Sequence, residues 1–315
     1  MATVLGLLLI CLLMILPVLS TNRSERGGAE LVHRSNWVQP LNRATVDSEA
    51  VHMVGYITQP KEGGYYGFTV TMDVYGFNLS PGQLNSYAGV WVKTDNNNDD
   101  GKESSFDGIQ IGWRMSAAGA PTTGVDVYCP GFQPEKDAST RPSDVIPSIS
   151  ELNGTRQYIA LKVFKDGASG DWLVHYGFNK NPELIGRLPK SIFTGLAYNA
   201  TTLWFGGMGV DNATFQPSPA LPPVGNGYMA VDGSRMAASM SNLQLIDEQG
   251  QASPMAKHLG GYSSNPKYYS YTRIVDDQFF YGGPLQSPTP SSVATSCAHN
   301  MYFIILLVLF TYWLF

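Results

Sequence analysis

The chain has 315 residues, of which 43% are hydrophobic and only 14% charged, and its formal net charge is −5. This charged fraction lies well below the ~25% of an average globular chain, and the mildly acidic balance argues against a nucleic-acid-binding protein, which would carry a basic stripe. The 33 glycines and 17 tyrosines argue against a disordered acidic chain and against a helical bundle. An ordered stretch of about 240 residues predicts one large domain.

The N-terminal residues carry a targeting signal. Residues 4–19, VLGLLLICLLMILPVL, are uncharged and are followed by the small residue Ser20, which predicts a signal peptide over residues 1–20. The alternative, an N-terminal membrane anchor, is disfavoured because this segment is short and contains Pro17. Residues 21–50 are polar and without periodicity, and they are interpreted as a short leader.

From Val51 onwards, short runs of β-branched and aromatic residues alternate with Gly, Pro and Asn. The segments that suit strands are YYGFTVTMDVYGF, AGVWVKT, GIQIGWRM, YIALKVF, DWLVHYGF, LWFGGMGV and MSNLQLID. Few segments suit a helix, KSIFTGLAYNA being one. Many short strands separated by turn signals predict an all-β fold, an antiparallel β-sandwich or barrel, as one domain over residues 51–285.

The end of the chain suggests a membrane-linked destination. A polar spacer, residues 286–300, precedes the uncharged tail MYFIILLVLFTYWLF at residues 301–315. As a helix this tail would rise about 22 Å, less than the ~30 Å hydrocarbon layer. It is therefore interpreted as a glycosylphosphatidylinositol-type lipid-anchor signal, with an uncleaved tail anchor as the alternative.

Other features agree with a secreted or cell-surface protein. Five sequons predict N-glycosylation, at Asn22, Asn78, Asn153, Asn199 and Asn212. Of the three cysteines, Cys129 alone lies in the body of the domain, and a buried hydrophobic role suits it better than a nucleophilic one.

No cofactor and no metal site is expected. The sequence contains no dinucleotide fingerprint and no phosphate loop. Asn96, Asn98, Asp100, Gly101 and Asp107 fall at calcium-loop spacings, but the first ligand position holds Asn and no helices flank the loop. A solvated hairpin loop explains the same residues.

A series of motifs in the domain resembles, in order, the plant neprosin-domain family. These are Tyr65-Tyr-Gly67, Gly108-Ile-Gln-Ile-Gly-Trp113, Cys129-Pro-Gly-Phe132, Lys165-Asp166 with Gly170-Asp-Trp172, Leu188-Pro189 with Ile192-Phe193, Phe205-Gly-Gly207, Gly225-Asn-Gly227 and Phe279-Phe-Tyr-Gly-Gly-Pro284. The resemblance implies a β-sandwich peptidase of the glutamic type, whose members are secreted, act at acidic pH and cut after proline. In such enzymes one carboxyl group deprotonates a water while the other assists the developing oxyanion.

The two family glutamates are replaced in this sequence. The first position, in the strand that ends Gly-Trp, holds Gln110, and the second, directly after the Gly-Gly pair, holds Met208. A glutamine amide can donate to an oxyanion, but a thioether can neither take a proton from water nor give one. The second cysteine that the family carries shortly before the position of Cys129 is also missing, so its loop disulfide is absent.

These departures leave three hypotheses open. The first is a catalytically impaired homologue in which Trp91, Trp113 and Trp204 line a groove that binds Pro-rich or glycosylated extracellular chains, although for each Trp singly a place in the core is the better interpretation. The second is an active acid prolyl endopeptidase that uses another carboxylate, among Asp73, Asp126 and Glu103. The third is a carbohydrate-binding surface sandwich. Membrane association is expected through the tail, and no nucleic acid partner is expected.

Overall fold

A computed structural model describes residues 48–94, 107–116, 123–217 and 220–284 of the chain. The predicted signal peptide, spacer, hydrophobic tail and Asn22 lie outside these residues, as does Glu103. Within them the strands are β1 (Glu49–Thr58), β2 (Gly67–Asp73), β3 (Gln83–Lys93), β4 (Gly108–Ser116), β5 (Thr123–Tyr128), β6 (Gln133–Pro134), β7 (Tyr158–Lys165), β8 (Trp172–Phe178), β9 (Glu183–Leu188), β10 (Thr202–Asn212), β11 (Ala238–Ile246), β12 (Ala252–Pro254), β13 (Leu259–Ser263), β14 (Ser270–Tyr271) and β15 (Phe279–Gly282).

The strands form two antiparallel sheets. The first sheet has the order β13-β1-β10-β3-β4-β5. The second has the order β14-β15-β11-β2-β7-β8-β9-β6, with β12 paired to β11. The prediction of an all-β antiparallel sandwich is therefore confirmed.

All seven segments predicted as strands are strands, because their β-branched and aromatic residues suit a pleated, half-buried surface. Strands β1, β5, β6, β9 and β12 to β15 fall outside these seven segments, and two further details differ from the prediction. The first strand begins at Glu49, inside the predicted leader, and KSIFTGLAYNA contains only a 3₁₀ turn at Lys190–Ile192. Within the described residues, no helix is long and apolar enough to cross a membrane.

The main core lies between the two sheets, and it follows the period of two that strands impose. On β7, Ile159, Leu161 and Val163 are at most 1% exposed, whereas the residues between them are partly exposed. Strands β3 and β10, in the middle of the first sheet, are instead buried at nearly every position. The outer face of the first sheet therefore carries a second apolar cluster, separate from the main core.

The core also contains a buried polar centre. Trp113 is fully buried and its Nε1 donates a hydrogen bond of 2.9 Å to the backbone oxygen of Asp73. The Asp73 carboxylate accepts hydrogen bonds from the backbone and side chain of Ser239 and pairs with Arg156. Burial raises the pKa of Asp73, and the nearby Arg156 guanidinium opposes this shift. Asp73 therefore joins β2, β11 and the segment before β7 rather than facing a groove.

Candidate functional site

Strand register places three parallel rows of residues across the outer face of the first sheet. The glycine row is Gly55, Gly206, Gly89 and Gly112, ending in Asp126. The tryptophan row is Ile57, Trp204, Trp91, Gln110 and Tyr128. The methionine row is Met53, Met208, Tyr87 and Arg114.

The glycine row forms a furrow between the two rows of larger side chains, because glycine places no side chain on the face. At ~4.8 Å between neighbouring strands, the furrow from Gly55 to Asp126 is about 19 Å long, the length of about six extended residues. The Trp204 indole leans over its floor, since a Cβ built on Gly206 would lie 2.9 Å from the Trp204 Cη2 atom. A Cβ on Gly112 would lie only 2.0 Å from the Ala88 carbonyl oxygen. The floor therefore tolerates only glycine.

The two residues of the Gly206-Gly207 pair lie on opposite faces of the sheet. Gly206 belongs to the furrow, whereas Gly207 faces the main core. A Cβ on Gly207 would lie 2.2 Å from Val224 Cγ1 and 2.7 Å from the Tyr281 ring. The Gly-Gly motif in the sequence thus reflects close approach on each side of β10.

Gln110 lies at the centre of a hydrogen-bonded chain that crosses three strands. Trp91 Nε1 donates to Gln110 Oε1 at 2.9 Å, and Gln110 Nε2 donates to Asp126 Oδ2. On the other side of the carboxylate, Arg114 Nε lies 3.9 Å from Asp126 Oδ1. The structure therefore brings Gln110 together with Asp126, one of the carboxylates considered from the sequence, which lies on the neighbouring strand β5.

Asp126 is 6% exposed and lies in an environment that disfavours its charge. Burial raises the pKa of Asp126, while Arg114 and the Gln110 hydrogen bond oppose the shift. Burial and the nearby Asp126 carboxylate also raise the pKa of Tyr87 to about 12. The end of the furrow therefore holds one carboxyl group that takes up a proton more readily than an exposed aspartate.

Met208 is 2% exposed and lies in the second apolar cluster, which consists of Met53, Tyr87, Trp91, Trp204, Met208 and Val210. Trp91 and Trp204 pack edge to face there, with ring centroids 4.5 Å apart. Met208 and Gln110 share the face but lie on β10 and β4, with β3 between them. The thioether at the position that the resemblance aligns with the second family glutamate therefore lies among apolar and aromatic side chains.

The remaining candidates fall elsewhere. Trp113 lies in the main core and not on the furrow face, because its position on β4 has the opposite parity to Gln110. Asp107 accepts hydrogen bonds from Thr194, Gly195 and Leu196, so its carboxylate holds this turn. The other residues at calcium-loop spacings, Asn96, Asn98, Asp100 and Gly101, lie outside the described residues.

Two other side chains, Asp211 and Cys129, have structural surroundings of their own. Asp211 pairs with His52 at 3.1 Å. Cys129 is a free, buried thiol whose pKa is raised to about 12 by burial and by Asp107. No group of three or more metal-ligating side chains occurs within the described residues.

The sequons differ in accessibility. Asn78 and Asn153 are exposed, and Asn199 and Asn212 are half-buried. Asn212 Oδ1 accepts hydrogen bonds from the backbone and the hydroxyl of Thr214, the third residue of its sequon. Glycosylation at these four sites stays a prediction.

The surroundings of Asp126 make stability depend on pH. The pKa of Asp126 in the folded protein is raised above the ordinary value of 3.8. The contribution of this carboxyl group to the stability of the fold is therefore most favourable in acid, and it is lost as the pH rises through the raised pKa. We therefore expect the free energy of unfolding of Asp126→Asn to increase, relative to that of the wild type, as the pH rises from acid to neutral. Thermal unfolding across this range measures the difference, and Asp137→Asn, an exposed carboxylate, is the control. A difference independent of pH would contradict the prediction.

Comparison with known proteins gives the family. A scytalido-glutamic peptidase crystallised with a transition state analog inhibitor aligns with 75% of this chain and 100% of its own, at 10% identity and a TM-score of 0.43. An alginate lyase, vAL-1 from Chlorella virus, aligns with 52% of this chain and 84% of its own, at 12% identity and a TM-score of 0.24. Neither likeness bears on the chemistry of the site. The neprosin family profile, however, matches residues 82–284, more than half of the chain, and the chain belongs to the neprosin family.

Proposed function

We propose that this chain is a secreted or cell-surface neprosin-domain protein that lacks peptidase activity and binds extended, proline-containing polypeptides along the furrow. The observation that carries the proposal is Met208, a buried thioether at the second glutamate position of the family. Proton transfer to and from a reacting water requires a titratable group within hydrogen-bond reach. Met208 supplies none.

Gln110 supports the same proposal. Its oxygen accepts from Trp91 and its nitrogen donates to Asp126, so both ends of the amide have partners before any substrate arrives. A donor that is already paired with a carboxylate must give up that hydrogen bond before it can stabilise an oxyanion.

Binding is supported by the shape and chemistry of the furrow. Its length suits about six extended residues, and the row beside it carries the apolar rings of Trp91 and Trp204, which are 3% and 2% exposed. Trp204 Nε1 is buried and has no hydrogen-bond partner among the described residues. Because buried donors are nearly always paired, a backbone carbonyl of a bound chain would complete this site.

A second candidate function is peptidase activity that uses Asp126. The direct contact between Gln110 and Asp126 favours it. The amide can donate a hydrogen bond, and the adjacent carboxyl group, whose pKa is raised, can act as a general acid or base. The deep burial of Asp126 and its engagement with Gln110 place this candidate second.

The test is incubation of the full-length chain with a fluorogenic proline-containing peptide between about pH 2 and 6, the range in which carboxyl groups exchange protons. We expect no cleavage. Cleavage that Asp126→Asn abolishes would establish the second candidate instead. Cleavage that survives both Asp126→Asn and the pair Gln110→Ala with Met208→Ala would show that the active site lies elsewhere.

Binding is measured separately, by titrating the chain with a hexaproline peptide. We expect Trp204→Phe, which keeps a ring but removes the free donor, to weaken binding about fivefold, the worth of one hydrogen bond of about 1 kcal/mol. Trp172→Phe is the control, because it removes an indole donor that serves Leu196 in the main core. Absence of binding, or equal losses in both variants, would contradict the proposal.

A further inference from the structure

The outer face of the second sheet carries a cavity, on the opposite side of the sandwich from the furrow. It has a volume of about 480 Å³, within the range of small-molecule sites. Its floor consists of Thr69 and Thr71 on β2 and Ala160 and Lys162 on β7. These positions alternate with residues that point into the main core, so their side chains face outward.

The walls of the cavity are held in place by the backbone. One wall is the turn of Lys180, Asn181 and Pro182 between β8 and β9. This turn folds back over Gly177, where a Cβ would lie 2.5 Å from the carbonyl oxygens of Lys180 and Asn181. Asn179, at the start of the turn, accepts a hydrogen bond of 2.9 Å from the backbone of Tyr158.

The other wall is a bulge in β11. The register between β11 and β2 shifts between Ser241 and Gln244, and Asn242 adopts a left-handed conformation with φ of 53°. The Thr69 hydroxyl donates to the Asn242 carbonyl at 3.2 Å, which joins this wall to the floor. The cavity is therefore formed before any ligand binds.

The lining is positively charged in an acidic protein. Lys162 and Lys180 contribute to it, and none of its residues is Asp or Glu. Lys180 pairs with Glu183 at the exposed rim. The Lys162 ammonium lies 4.8 Å from the centre of the Phe164 ring and has no carboxylate partner among the described residues. The Lys162 charge acts on His175, its cross-strand neighbour. Burial lowers the pKa of His175 most, and the positive charge of Lys162 lowers it further.

The other polar groups of the lining are hydroxyls and amides, from Thr69, Thr71, Tyr158, Asn181 and Asn242, and they lie beside the apolar Ala160, Leu161 and Pro182. Such groups both donate and accept hydrogen bonds, as the hydroxyls of a sugar do. Strands β2 and β7 are paired on both edges, so the floor offers no free backbone to an extended peptide. We propose that this cavity binds a short saccharide that carries a carboxylate, which pairs with the Lys162 ammonium.

The experiment is a calorimetric titration of the full-length chain with trigalacturonate. We expect saturable binding that weakens as salt rises from about 0.05 M to about 0.5 M, because screening acts on a partly exposed ion pair. Lys162→Gln should weaken binding about tenfold, the equivalent of about 1.4 kcal/mol for a charge-assisted hydrogen bond. Lys257→Gln, an exposed lysine outside the cavity, is the matched control and should bind as the wild type does.

Two further ligands make the test specific. The methyl ester of trigalacturonate, which lacks the charge, should bind at least about tenfold more weakly. Triglutamate, an acidic peptide, should not compete. Equal binding of acid and ester, equal binding by Lys162→Gln and the wild type, no binding of trigalacturonate, or competition by triglutamate would each overturn the proposal. None of these outcomes depends on whether the furrow binds proline-containing chains.

Discussion

Gly112→Ala is expected to reduce the free energy of unfolding by about 3 kcal/mol or more, although it adds a single methyl group. The methyl carbon would lie 2.0 Å from the Ala88 carbonyl oxygen and 2.6 Å from Gly89 Cα. Both atoms belong to the backbone of β3, so no side-chain rotation can relieve the clash. Chemical denaturation of the two proteins measures the loss.

The control is Gly124→Ala, on β5 of the same sheet. Its methyl carbon would lie 3.5 Å from the nearest atom, which is an ordinary contact. Because glycine is less favourable than alanine in a strand by roughly 0.5–1 kcal/mol, this variant should be neutral or slightly stabilised. A similar loss in both variants would mean that the close approach of β3 and β4 does not explain the glycine row.

The second large effect expected is a gain of activity. We expect Gln110→Glu combined with Met208→Glu to cleave a proline-containing peptide in acid, at least about 100-fold above the wild-type background, the lower range of general acid–base catalysis. The carboxyl group introduced at position 110 would lie beside Asp126, and two neighbouring carboxyl groups share a proton, which raises the pKa of one of them. The second carboxyl group, at position 208, would lie in an apolar cluster that also favours the protonated form.

The matched control places the second carboxyl group one strand away. Met53 lies directly opposite Met208 on β1 and belongs to the same cluster, so Gln110→Glu with Met53→Glu buries the same charge in the same surroundings. This variant should remain inactive, as should each single variant. Equal activity of the two double variants, or a folded but inactive Gln110→Glu and Met208→Glu variant, would contradict the assignment of the site.

The strands themselves could be predicted well because their signal is local. LWFGGMGV and YIALKVF carry β-branched and aromatic residues at a spacing that depends on no distant contact. Strand β1 was not among the predicted segments, and its first residues, Glu49 and Ala50, resemble the polar residues before them. Its pairing with β10, and not its composition, makes these residues part of a strand.

The site could be predicted only in part, for the opposite reason. The motifs identified Gln110 and Met208, but not which side chains surround them. The alignment of Gly55, Gly206, Gly89 and Gly112 depends on the register of four strands, and register is a long-range property. The contact of Gln110 with Asp126 depends on the same register, so the sequence could offer Asp126 only as one carboxylate among several. Trp113 is an example, since a step of one residue along a strand moves a side chain from the furrow face to the main core.

The antiparallel pairing of β1 also has a consequence for how the domain acquires its structure. Glu49 pairs with Asn212, and on the other edge Val54 pairs with Ser263. Strand β1 therefore cannot pair with either neighbour until most of the domain that follows it has been synthesised. Contacts so distant in sequence slow folding and leave strand edges unpaired in the meantime. Folding of this protein should therefore follow translation rather than accompany it.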